Sequence, residues 1–85
     1  MRDKLDILGL DFTLGDGPLE YETGGGYCNV ADQFIGIDSD QHRQAKKLAL
    51  IHEYIEAVNE LCDLHLPHQT VATLAVAVNR LVGQL

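Results

Sequence analysis

The sequence predicts an α+β domain, a small antiparallel β-sheet of about four strands followed by a two-helix hairpin. Two observations carry that reading. The first 38 residues hold seven of the eight glycines and one of the two prolines between short apolar runs, the pattern of successive hairpins. From Ser39 onward glycine is absent until Gly83, and the apolar spacing changes to the helical period. At 85 residues, 46% hydrophobic and 22% charged, the chain is one folded domain, residues 1–85, with a thin core.

In chain order, 5–14 reads as the first strand, Gly15-Asp16-Gly17-Pro18 as a turn, and Leu19-Glu20-Tyr21-Glu22, alternating apolar and acidic, as a second strand with one wet face. Gly24-Gly25-Gly26 breaks the chain again. Because a strand rather than a helix follows, and no lysine is placed to help, the triplet reads as a hairpin loop and not a phosphate cradle. Tyr27 to Val30 is a short strand, Ala31-Asp32 a tight turn and Gln33 to Asp38 the last strand, which closes the sheet portion at 1–38.

Residues 39–64 form the motif helix and its exit, with Ser39 as N-cap and Leu48, Ile51, Ile55, Val58 and Cys62 as its apolar stripe. Leu64-His65-Leu66 is the connection, and Pro67 suits the first position of a second helix, 67–84. There Val71, Leu74, Ala75, Val78, Leu81, Val82 and Leu85 repeat at helical spacing, so much of this helix is expected to be buried.

The chemistry concentrates in His52-Glu53-Tyr54-Ile55-Glu56. Positions four apart share a helix face, so His52 and Glu56 can grip one metal ion, as the two histidines of H-E-x-x-H do in zinc peptidases. Imidazole and carboxylate both bind zinc, and a catalytic site uses three protein ligands. The third must come from elsewhere. His68 starts the inward face of the second helix and is the preferred candidate, with His65 in the connection as the alternative and His42 read as solvated. Glu53 is placed as general base to take a proton from an attacking water, and Asn59 to hydrogen-bond a ligand. One geometric condition applies: in a regular helical hairpin His68 lies level with the end of the first helix, roughly 15 Å from His52. The site closes only if the first helix ends near Asn59 or Glu60, or if the helices cross steeply.

Composition narrows the function classes. Six Lys+Arg against thirteen Asp+Glu give a net charge of −7, which argues against nucleic-acid binding and anionic lipid surfaces. Cys28 and Cys62 are too far apart for a metal-binding pair and read as reduced core thiols. There is neither a signal-peptide pattern nor an apolar run of membrane-spanning length, so a cytoplasmic location and no membrane partner are expected. The thin core allows a monomer or a homodimer.

The order of these features resembles small phage and prophage proteins related to the ImmA/IrrE-type, zincin-like metallopeptidases. The resemblance rests on Leu5-Asp6-Ile7-Leu8-Gly9-Leu10-Asp11-Phe12, on the strand ending Phe34-Ile35-Gly36-Ile37-Asp38, and on Leu50-Ile51-His52-Glu53-Tyr54-Ile55-Glu56-Ala57-Val58-Asn59, and it covers most of the chain. It implies a zincin-like minimal fold, zinc held by His52, Glu56 and His68, Glu53 as catalytic base, and a host or phage protein as target in the bacterial cytoplasm. Two positions depart from the family pattern. Glu56 stands where histidine is commonest, and His68 where an acidic residue is usual. Glutamate as second ligand makes the metal a poorer Lewis acid, so the resemblance also allows a catalytically degenerate relative. A non-catalytic phage accessory or inhibitor protein that binds a host protein through its acidic surface is the alternative reading.

Overall fold

The computed structural model describes residues 4–16 and 25–85. Leu8 (φ 54°) and Gly9 (φ 86°) both adopt left-handed backbone, the two-residue turn whose twist matches a hairpin. The run read as one strand over 5–14 therefore folds back on itself. β1 (Lys4–Ile7) pairs antiparallel with β2 (Leu10–Asp16), with Ile7 opposite Leu10. A second hairpin joins β3 (Gly26–Asn29) to β4 (Phe34–Ile37), its turn fastened by the Asp32 backbone N–H donating to Asn29 Oδ1. β2 and β4 pair in parallel, so the sheet has the order β1-β2-β4-β3. Two of its three pairings are antiparallel, as expected, and the central one makes the sheet mixed. The strand expected at 19–22 lies outside the described residues.

The register puts Leu5, Ile7, Phe12, Leu14, Cys28, Ile35 and Ile37 on one face. α1 (Arg43–Leu61) covers it, and the core forms from Ile7, Phe12, Ile35 and Ile37 against Ala49 and Ala57. The centre of the helix's buried face is thus Ala49, Glu53 and Ala57. Ala49 and Ala57, eight residues apart on either side of Glu53, let helix and sheet approach closely. The expected stripe is displaced accordingly: Leu48, Ile51, Ile55 and Val58 are half-buried on the flanks, and Cys62 is exposed. Cys28, half-buried, packs against the core, so only one of the two free thiols matches the expectation of a core residue.

The helix also starts later than its best capping residue. Ser39 lies in a turn closed by the Asp40 N–H donating to Asp38 Oδ1, and the Gln41 amide ties this turn to the Gly25 carbonyl. His42 becomes the N-cap, its Nδ1 accepting from the Gln44 N–H at 3.2 Å.

α2 (His68–Gly83) packs on α1, with Pro67 at its cap one residue before the expected position. Its burial falls short of the expectation. Val71 and Ala75 are buried, whereas Leu74, Val78, Leu81, Val82 and Leu85 are all exposed. Val78 and Val82 lie on the same face as Val71 and Ala75, so the helix outruns its cover. No described helix is long and apolar enough to cross a membrane.

Candidate metal centre

His52 and Glu56 lie one turn apart on α1, with Nε2 of the histidine 3.7 Å from Oε2 of the glutamate. His68, the first residue of α2, brings its Nδ1 to 3.6 Å from the same oxygen. The two imidazole rings stand 5.2 Å apart between centroids. One nitrogen or oxygen from each of the three residues lies within 4.8 Å of the others, a group that can hold a metal ion.

The geometric condition is met in an unexpected way. α1 does not end early; it runs on to Leu61. Instead the connection turns back along it through Asp63 (φ 53°) and His65 (φ 59°). Asn59 then captures Leu66 with both ends of its amide, Oδ1 accepting from the Leu66 N–H at 2.9 Å and Nδ2 donating to the Leu66 carbonyl at 3.2 Å. With residue 66 held level with residue 59, His68 falls opposite Glu56. Asn59 therefore serves the site by placing the third donor, not by bonding a ligand as expected. His65 points elsewhere, with Nε2 2.9 Å from Asp63 Oδ1 on the exposed connection, and His42 is spent on the helix cap.

The donor set suits a divalent metal ion, zinc among them. Two imidazoles and a carboxylate form a ligand set found in catalytic zinc sites, and ligands about 2.1 Å from a tetrahedral centre stand about 3.4 Å apart. The 3.6 and 3.7 Å separations are close to that value and too long for hydrogen bonds among the side chains themselves. Glu56 stands within ion-pair range of both histidines, with no hydrogen bond among the three side chains.

Glu53, one position after the first donor, is 8% exposed and makes no hydrogen bond among the described residues. It fits because Gly26 of β3 lies across from it: a Cβ there would stand 2.8 Å from Glu53 Cγ and 2.9 Å from Oε2. Burial, and then the charge of Glu56, push its carboxyl up to about 7. Cys28 on the same strand is pushed up to about 11 by burial and then by Glu53, Glu60 and Glu56. Glu53, His52, Glu56 and His68 share a cleft of about 610 Å³, bounded on the sheet side by Gly26, Tyr27 and Cys28.

The cleft thus unites all four residues assigned to metal and base, and adds contributions the sequence concealed. Gly26 leaves the space that the Glu53 side chain occupies, yet within a glycine triplet it carries the signature of a loop. Cys28 shows no partner in the sequence. The signal for Asn59 was present in its spacing of seven from His52, but its partner is a backbone, which no residue pattern marks. Compared with known proteins, the chain matches no family model, and no curated protein or solved structure shows significant similarity to it.

Proposed function

We propose that this chain holds one zinc ion on His52, Glu56 and His68 and hydrolyses a peptide bond with Glu53 as general base, as a minimal zincin-like peptidase of the ImmA/IrrE-like phage type. The observation that carries the reading is the convergence of three donors beside a buried carboxylate that has no hydrogen-bond partner among the described residues. Zinc, when bound, supplies a Lewis acid that polarises a carbonyl and acidifies water. Glu53, held near neutrality, takes a proton from the attacking water as its oxygen adds to the carbonyl carbon, and returns that proton to the departing amine as the C–N bond breaks. Among the described residues β3 is the edge strand on the cleft side, which supports an extended peptide from a host or phage protein as the substrate. Glu56 favours a second reading, a metal-binding relative without turnover, because a carboxylate donor weakens the ion as a Lewis acid.

Elemental analysis of untagged protein purified without chelator tests the first step. About one zinc per chain is expected, lost in His52→Ala and kept in Glu53→Gln. Hydrolysis of a peptide library that Glu53→Gln abolishes selects the enzyme, and zinc without hydrolysis selects the silent relative. Absence of zinc from the unmodified protein overturns both.

A further inference from the structure

The apolar stripe of α2 continues where its cover stops. Val71 and Ala75 close the first half of the helix against the body. Val78 and Val82 repeat that face seven residues further on, with Leu74 and Leu81 beside them and Leu85 just past the helix end, and these five are 39%, 42%, 41%, 56% and 96% exposed. The face also carries no acidic side chain. All thirteen Asp and Glu residues precede residue 64, and the one Lys or Arg beyond it, Arg80, lies on the opposite side of the helix from Val71.

We propose that this uncovered half of α2 is a self-association surface, on which a second copy of the chain lays the same half-helix antiparallel about a two-fold axis. Three arguments select a second copy as the occupant. The first is charge. Two chains of net charge −7 repel wherever their carboxylates face each other, and the acid-free end of α2 lets like copies meet without that cost. A basic partner chosen by charge would find nothing to pair with there. The second is area: the five side chains leave on the order of 500 Å² per copy uncovered, so a pair buries about 1,000 Å², the lower bound of a specific interface. The third is spacing. Leu74, Val78, Leu81 and Leu85 recur at four, three and four, the seam by which two helices interlock knobs into holes. With Val78 near the axis, Leu74 of one copy meets the Leu81 and Leu85 end of the other, and the opposed helix dipoles favour the antiparallel sense. The cleft lies at the other end of α2, beside His68, so association and metal binding are independent.

Sedimentation equilibrium of the 85-residue chain in EDTA, from about 5 to about 300 µM, tests the proposal. The mass is expected to rise with concentration from 9.4 kDa toward twice that value. Leu81→Glu and, separately, Leu85→Glu should raise the dissociation constant at least about tenfold. Leu85→Glu alters a side chain 96% exposed, so a folding defect cannot mimic its effect, and Leu64→Glu, exposed but outside the face, should change nothing. A monomer throughout, a dimer that survives both α2 variants, or a dimer that forms only when zinc is added would overturn it.

Discussion

Asn59→Ala removes the clamp that returns the chain to the candidate metal centre. The two hydrogen bonds to Leu66, at 2.9 and 3.2 Å, are part-buried and well formed, and each contributes about 1 kcal/mol net. The loss should therefore be about 2 kcal/mol, or roughly 10 °C in melting temperature for a domain of this size. The local consequence is larger than the global one. Asp63 and His65 hold left-handed backbone, which costs non-glycine residues on the order of 1 kcal/mol each, and without the clamp they relax. His68 then leaves Glu56. Zinc affinity, read by competition with a chromophoric chelator, should fall about 10- to 100-fold, approaching that of His68→Ala. His68 itself is 76% exposed, so His68→Ala should lower affinity with little change in melting temperature of the metal-free protein. An Asn59→Ala protein that melts lower yet binds zinc as tightly as the parent would refute the positioning role, and one that melts unchanged would refute the clamp.

The raised carboxyl of Glu53 makes metal-free stability fall with pH. The folded chain keeps its proton up to about 7 while the unfolded chain releases it near the ordinary 4.5, so stability is full below that lower value, declines between the two and levels off above about 7. The decline is at most about 3 kcal/mol and should be absent in Glu53→Gln, measured by urea denaturation in EDTA; parallel decline of both proteins would assign it to another group. The thiols should react unequally. Cys62 is exposed, whereas Cys28 is half-buried and pushed up to about 11, so a thiol reagent at neutral pH should modify Cys62 first, with mass spectrometry of the digested protein as the check.

What the sequence disclosed follows the range over which each feature is determined. His52, Glu53 and Glu56 were legible because a helix fixes their relation within one turn, and His68 because the period of α2 sets its face. The change from strand to helix near residue 40 was visible in the glycine distribution. The Leu8-Gly9 turn was not, since leucine is seldom found with positive φ and the flanking residues read as continuous strand. The parallel pairing of β2 with β4 joins segments some twenty residues apart and leaves no local trace. The helix cap moved to His42 because the Gln41 tie to Gly25 holds the preceding turn in place. The buried centre of α1 settled on Ala49 and Ala57, because close approach to the sheet favours small side chains, with Glu53 between them facing Gly26; a search for large apolar residues passes over all three.

The clamp and the glycine gap divide the site by how far each part reaches along the chain. The three donors come from a single helical hairpin, between residues 52 and 68, and depend on contacts local in sequence. The environment of Glu53 is written by residue 26 on a distant strand. Damage to the sheet would leave the donors gathered and return Glu53 to an ordinary, solvated carboxylate, whereas damage to the connection would scatter the donors and leave Glu53 buried. The gathering of the three donors and the burial of Glu53 can therefore be lost separately.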